Sequence, residues 1–289
     1  MSGIVVLGDV MVDVVVRLSR PLAHASDAPA RIRFHGGGSA ANTAAWFAAA
    51  GAEPVLVGRV GDDERGRGAR EELLRGDVDA RLAVDHDLPT GTCLVLVAPD
   101  GERTMAPDAG ANDGLTEGDL PGELLVDGAH LHVAGYALLR PGSRPAARGA
   151  IARASKAGMT VSVDPSSSAL LSPAFLDLAE GAGLLLPNAA EAQALTGEDD
   201  PERAARRLAE RFGEVVVTLG AEGALWTAGG EAIRAAAVPV EAVEDSTGAG
   251  DAFAAGFVGA RVDGASAADA LAAASRLAAR AIGTEGGRP

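Results

Sequence analysis

From about Asp127 onward the chain alternates short apolar runs with longer helical patterns, and this rhythm limits the possible folds more than any other feature. Ala129 to Ala134, Val161-Ser162-Val163, Leu184-Leu185-Leu186 and Val215-Val216-Val217-Thr218-Leu219-Gly220 are near-continuous apolar runs, with helical stretches at Pro145 to Ala157 and around Pro173 to Glu180. A run without polar alternation suits a strand buried on both faces. Strand, helix and strand in succession wind a parallel sheet between two helical layers. Ile4-Val5-Val6-Leu7, closed by Gly8-Asp9, and Pro54 to Val60 read the same way. The expected class is α/β, a doubly wound and mostly parallel sheet flanked by helices. With 289 residues, 47% of them apolar, the chain can bury the core of one large domain.

Other segments do not fit that rhythm. Val10 to Val16 is β-branched around a single charge, Asp13, and Ala30-Arg31-Ile32-Arg33-Phe34 alternates polar with apolar. Thr92 to Ala98 and Glu102 to Ala106 flank Asp100-Gly101, a strong hairpin signal. Short crossovers cannot bring these strands into a parallel sheet. Segments 10–18, 30–35 and 92–106 are therefore expected to form a small β-sheet lid over an active site, within one domain spanning 1–289. Ala224-Leu225-Trp226-Thr227 with Gly229-Gly230 reads as a late hairpin, followed by helices near 250–261 and 266–282. Gly61-Asp62-Asp63-Glu64-Arg65-Gly66 opens a helix reaching Leu74, where helix-start acids need no metal to explain them.

A net charge of −15 and a pI near 4.7 argue against nucleic acid or an anionic membrane as partner and favour small molecules. Lys156 is the only lysine, so no G-x-x-x-x-G-K-[ST] phosphate loop exists. Any phosphate must be handled by backbone amides, arginines and a metal ion. Gly8-Asp9 does not supply the G-x-G-x-x-G of a dinucleotide fold, and Gly37-Gly38-Ser39-Ala40-Ala41 fails the last position of a hydrolase elbow. Cys93 stands alone, which excludes an internal disulfide and reads as a small buried hydrophobe in a reducing compartment. Met1-Ser2-Gly3 leads into the first strand without a basic n-region, and no apolar run nears the 18 or so residues of a membrane span. A cytoplasmic protein is expected.

Chemistry concentrates in Glu244-Asp245-Ser246-Thr247-Gly248-Ala249-Gly250-Asp251-Ala252-Phe253. Gly248, Ala249 and Gly250 leave backbone amides bare at a helix start, an anion hole in outline. Asp251 follows in the first turn, where the helix dipole is expected to keep its pKa low. Gly36-Gly37-Gly38 precedes Ser39 and a helix from Ala40 to Ala50, with Asn42 able to donate and accept in the first turn. Asp13 either lies on an exposed strand face or points into a cleft. Asn188 to Glu191 reads as a capping box on the carboxyl edge of the sheet, where ligands of doubly wound folds bind. His130 and His132 share a strand face but lack a third metal ligand and read as core or edge residues.

Asp245-Ser246-Thr247-Gly248-Ala249-Gly250-Asp251 resembles the C-terminal signature of the ribokinase-like (PfkB-type) carbohydrate kinases. Gly36 to Asn42, Val57-Gly58-Arg59-Val60-Gly61-Asp62-Asp63, Asn188-Ala189-Ala190-Glu191 and Thr218-Leu219-Gly220-Ala221-Glu222-Gly223 resemble further landmarks in the same order. The likeness spans nearly the whole chain. It implies phosphoryl transfer from ATP to a primary hydroxyl of a small sugar, with Asp251 as general base and Gly248, Ala249 and Gly250 as the anion hole. It further implies Asp13, Gly37, Gly38 and Asn42 as sugar contacts, and Asn188, Thr218, Gly220, Gly223 and Ser275 around the nucleotide. Glu191 would organise Mg2+ through water, Asp245 and Thr247 would hold a monovalent cation such as K+, and copies would pair as a homodimer through the lid. Ala109-Gly110-Ala111-Asn112 before Leu115-Thr116 resembles the ribokinase subgroup, but Val133-Ala134-Gly135-Tyr136 lacks that subgroup's glutamate. Acceptors left open are 2-keto-3-deoxygluconate, fructose and a nucleoside, and a non-catalytic binding protein on the same scaffold is the remaining alternative.

Overall fold

The computed structural model describes residues 3–22 and 24–289; Met1 and Ser2, read as the lead into the first strand, lie outside the described residues. In chain order the elements are β1 (Ile4–Leu7), β2 (Met11–Leu18), β3 (Ala30–Gly37), α1 (Ser39–Ala49), β4 (Pro54–Gly61), α2 (Glu64–Arg75), β5 (Asp79–Asp85), β6 (Gly91–Val97) and β7 (Arg103–Asp108). There follow β8 (His130–Ala134), α3 (Tyr136–Leu139), α4 (Arg144–Lys156), β9 (Thr160–Asp164), α5 (Phe175–Leu178), β10 (Leu184–Leu185), α6 (Ala189–Thr196), α7 (Pro201–Phe212), β11 (Glu214–Thr218), β12 (Ala224–Ala228), β13 (Glu231–Ala235), α8 (Ala249–Val262) and α9 (Ala267–Ile282).

Nine strands form one sheet in the order β13-β12-β11-β10-β9-β8-β1-β4-β5. Pairing is parallel from β11 to β5, and β12 and β13 fold back antiparallel as the late hairpin. All four residues of β1 are buried, with Val5 and Leu7 packing into one apolar layer and Ile4 and Val6 into the other, as a two-residue period requires. The first layer is closed by Ile151 of α4, Leu195 of α6 and Leu208 of α7, the second by Phe47 of α1, Leu73 of α2, Phe257 of α8 and Leu271 of α9. Strand β5 is absent from the sequence reading because it lies at the sheet edge. Half of it stays exposed, so Asp79-Ala80-Arg81-Leu82 alternates and carries no apolar run. His130 and His132 are buried on β8 and hydrogen-bonded to Thr160 and Ser162, and burial pushes them down to about 3 and about 4, which keeps them neutral.

The second sheet has the order β3-β2-β6-β7, with β2 and β6 parallel and the outer pairs antiparallel. Its register sets Asp13 beside His35 on one side and Cys93 on the other, with Pro107 next in line. This row and the apolar group Met11, Cys93, Val95 and Val97 form the inner face, while Ile32, Phe34 and Leu94 are exposed on the outer one. Among the described residues no helix is long and apolar enough to cross a membrane.

Candidate active site

A cavity of about 370 Å³ opens between the lid and the carboxyl edge of the large sheet. That edge carries Asp9 after β1, Tyr136 after β8, Asp164 at the end of β9, Asn188 after β10 and Thr218 at the end of β11, and all five line the cavity. From the lid come Met11, Asp13, Cys93, Met105 and Pro107, and from the start of α8 come Gly248, Gly250 and Asp251.

Asp251 sits in the first turn of α8, and its carboxylate is gripped by α1. Oδ1 accepts from Ser39 Oγ at 2.8 Å and from Thr43 Oγ1 at 3.4 Å, and Oδ2 accepts from Asn42 Nδ2 at 3.0 Å. The expected low pKa is not found. Removal from water pushes it up to about 6, Asp9 adds to the rise, and the three hydrogen bonds offset only part of it. The helix dipole is outweighed because the carboxylate is withdrawn from water beneath the lid, with Asp9 nearby.

The helix enters through Gly248, whose φ of 77° is left-handed; a Cβ there would stand 2.3 Å from the carbonyl oxygen of Gly287. The first intrahelical bond runs from Ala252 N–H to the Gly248 carbonyl. Among the described residues, the N–H groups of Gly250 and Asp251 therefore find no backbone acceptor, the usual condition of a helix start. Ala249 differs from its neighbours: its N–H leans on Ser246 O at 3.4 Å, and it does not line the cavity.

Asp13 is buried, and burial pushes its carboxyl up to about 6, with the positive charge of Arg288 pulling the other way. A Cβ on Gly37 would lie 2.3 Å from Asp13 Oδ1, so any side chain there would displace that carboxylate; Gly38 lines the cavity, Gly37 does not. Both ends of the Asn42 amide are engaged inside the protein. Its Nδ2 serves Asp251, and its Oδ1 accepts from Arg288 Nε at 3.2 Å. The Arg288 guanidinium also donates to Glu72 Oε1 and the Gly37 carbonyl, each at 2.8 Å.

Asn188 and Glu191 form the expected capping box: Glu191 N–H donates to Asn188 Oδ1 at 2.9 Å, and Asn188 N–H to Glu191 Oε2 at 2.8 Å. Asp164 lies close by. Burial raises both carboxyls, and for Asp164 the neighbouring charges of Glu191 and Asp251 add to the rise, taking it well above the usual range. Acids held together without a countercharge suit a divalent cation. Among the described residues no three His, Cys, Asp or Glu converge as a full set of metal ligands. Three expected nucleotide residues lie away from the cavity. Gly220 and Gly223 shape the turn between β11 and β12, and Ser275 is buried in α9 with an unpartnered hydroxyl.

The oxygens expected for a monovalent cation already face a guanidinium. Arg103 Nη1 stands 2.8 Å from Asp245 Oδ1 and 2.5 Å from Thr247 Oγ1. Opposite, Arg140 lines the cavity stacked over the Tyr136 ring, 5.3 Å from its centroid, and among the described residues no carboxylate pairs with it.

The family model of the pfkB family carbohydrate kinases matches residues 1–289. The chain belongs to the PfkB family of carbohydrate kinases. Relatives within it include an ATP-dependent ribose-1-phosphate kinase of Halopiger xanaduensis, 33% identical over 97% of this chain and 92% of the relative, and a fructokinase of Klebsiella pneumoniae, 34% identical over 88% and 82%. The crystal structure of adenosine kinase from Sinorhizobium meliloti superposes with a TM-score of 0.89 at 28% identity, covering 100% of this chain and 96% of the other. The expected ribokinase-like α/β fold is thus present, and the protein is a PfkB kinase, an enzyme that moves phosphate from ATP to a sugar hydroxyl.

Several residues at this PfkB site were not singled out from sequence. Asp9 and Asp164 follow strands, and the rule placing ligands at carboxyl ends would have found them. Ser39 and Thr43 are visible as first-turn neighbours of Asn42, one helical turn apart on one face. Arg103 and Arg288 carry no local pattern, and Arg140 only its four-residue spacing from Tyr136.

Proposed function

We propose that this kinase transfers the γ-phosphoryl group of ATP to a primary hydroxyl of a small sugar. The observation that carries the reading is the grip of Ser39, Asn42 and Thr43 on Asp251 beside the open amides at the start of α8. Asp251 takes the hydroxyl proton as the new P–O bond forms and the bond to the β-phosphate oxygen breaks. A carboxyl near 6 is ionised at neutral pH yet closer to it than an ordinary aspartate, the range in which a general base works well. The amides of Gly248 and Gly250 receive the charge on the phosphoryl oxygens, with Ala249 spacing them; such a donor contributes roughly 3–4 kcal/mol.

Asp13 and Asn42, set by Gly37 and Gly38, bind acceptor hydroxyls, and Asn188 and Thr218 face the nucleotide. Gly220, Gly223 and Ser275 act one layer behind by shaping the walls. Glu191 and Asp164 would hold Mg2+ through water, which supplies charge neutralisation on the phosphates. The lid keeps out water that would compete as acceptor. Two copies pair through the outer lid face, where Ile32, Phe34 and Leu94 lie exposed.

Arg140 favours a second reading of the acceptor. A cation without a carboxylate partner, in a cavity lined by Asp9, Asp13, Asp164, Glu191 and Asp251, suits a substrate bearing an anionic group, such as a keto-deoxy sugar acid or a sugar phosphate. The ribose-1-phosphate kinase among the relatives agrees with that class. Coupled ADP release with Mg·ATP over neutral pentoses, hexoses and nucleosides, sugar acids and sugar phosphates tests both. Turnover of anionic acceptors alone, lost in Arg140→Ala, supports the second reading, turnover of neutral sugars the first, and a panel without ADP release refutes both.

A further inference from the structure

Asp245 joins three stretches of chain that are far apart in sequence. Its Oδ1 accepts from Thr247 N–H at 2.7 Å and meets Arg103 Nη1 of the lid at 2.8 Å, while Oδ2 accepts from Gly286 N–H at 3.3 Å. Arg103 opens β7, the edge strand of the lid, and the same Nη1 reaches Thr247 Oγ1 at 2.5 Å. We propose that Arg103 is a positioning residue that clips the lid to the loop leading into α8 and supplies, from within the chain, the positive charge that a monovalent cation would otherwise bring to Asp245 and Thr247. The proposal rests on the reading of the α8 start as the phosphoryl site.

Three observations support it. First, the oxygens that an external cation would need are those the guanidinium holds, and an ion brought beside Arg103 would meet a like charge. Second, the contact is sheltered. Arg103 is 26% exposed and Asp245 13%, whereas the lid's other clasp to this region, Arg17 and Arg33 on Glu285, is 39–51% exposed and screened by solvent. Third, Thr247 immediately precedes Gly248. Fixing its hydroxyl fixes the entry of the chain into α8, so the aim of the Gly248 and Gly250 amides depends on a side chain that belongs to the lid. A lifted lid would remove the charge and loosen the loop together.

The test compares the wild type with Arg103→Ala and Arg103→Gln in potassium-free buffer, with KCl or tetramethylammonium chloride at equal ionic strength. Wild-type kcat is expected to differ less than about twofold between the salts. Arg103→Ala is expected to lose about tenfold or more in kcat, with a smaller change in acceptor KM, and to regain much of it with millimolar KCl or guanidinium chloride. Activation of the wild type by KCl over tetramethylammonium, or an Arg103→Ala enzyme with unchanged kcat in potassium-free buffer, overturns the proposal. A second measurement needs no acceptor and separates this proposal from the kinase reading. The thermal midpoint of the wild type with and without ADP is expected to be the same in both salts, while that of Arg103→Ala, or of Arg103→Gln should the alanine variant not fold, rises selectively with KCl. A selective rise in the wild type, or none in either variant, overturns it.

Discussion

Replacing Asp251 with asparagine should make this enzyme more stable and nearly inactive in one step. The carboxyl is raised from an unfolded value of 3.8 to about 6, chiefly by loss of water. At pH 7 the folded protein therefore holds an ionised group that its surroundings disfavour, by an upper bound of about 3 kcal/mol at 1.36 kcal/mol per unit. Because the folded pKa is the higher one, the penalty is absent below about 3.8, grows through the interval to about 6, and is complete above it. Asparagine relieves the penalty and still accepts from Ser39 and Thr43 at one oxygen. Its NH2 group, however, faces Asn42 Nδ2 where the carboxylate accepted a bond, which costs about 1 kcal/mol. After a discount for the side of the group open to the cavity, a net gain of about 1 kcal/mol remains, or about 2–4 °C in thermal midpoint at pH 7. Loss of the base should lower kcat by about 10²–10⁴. Melting curves of both proteins from pH 4 to 8 and coupled ADP release provide the two readouts. A variant less stable than wild type at pH 7, or a gain that does not shrink toward pH 4, refutes the desolvation argument, and a variant retaining most of its kcat refutes the role of Asp251 as base.

Asp13 is also raised to about 6, so the acid limb of kcat/KM should be steeper than one proton, and Asp13→Asn should reduce its slope to one while weakening acceptor binding; a slope of one in the wild type counts against a joint role. Gly248→Ala puts a Cβ on a left-handed residue 2.3 Å from the Gly287 carbonyl, and the strain should cost about 1–3 kcal/mol and lower kcat more than acceptor affinity, read by thermal melting and steady-state kinetics. If copies pair through the lid, Phe34→Glu, at a side chain 65% exposed on the outer face, should shift the protein to monomer in sedimentation velocity and change the midpoint of the isolated subunit little; an unchanged sedimentation coefficient refutes pairing there.

What could be read from the sequence, and what could not, divides along the range of the interaction. Strands such as Ile4–Leu7 and Glu214–Thr218 announce themselves because a site buried on both faces demands apolar side chains one after another, and the helix starts at Ser39, Asn188 and Gly248 do so because a cap is a matter of three or four neighbouring residues. Strand β5 was lost where that demand relaxes at an edge. The Asp251 pKa went wrong for a different reason. A helix start is local, but the water that a carboxylate loses is set by elements distant in sequence, among them α1, more than 200 residues away. Arginines mark the limit of this kind of reading. Arg103 and Arg288 each extend a long flexible side chain to partners that no spacing rule connects to them, Arg140 stacks on Tyr136 four residues earlier with its charge left for the cavity, and in a chain with a single lysine the three provide the site's positive charge. Carboxylates and glycines at such a site are dictated by the reaction and the backbone, and so recur as motifs. The cations that balance them can come from any neighbouring strand or turn within reach, so their positions become visible only once the fold has closed.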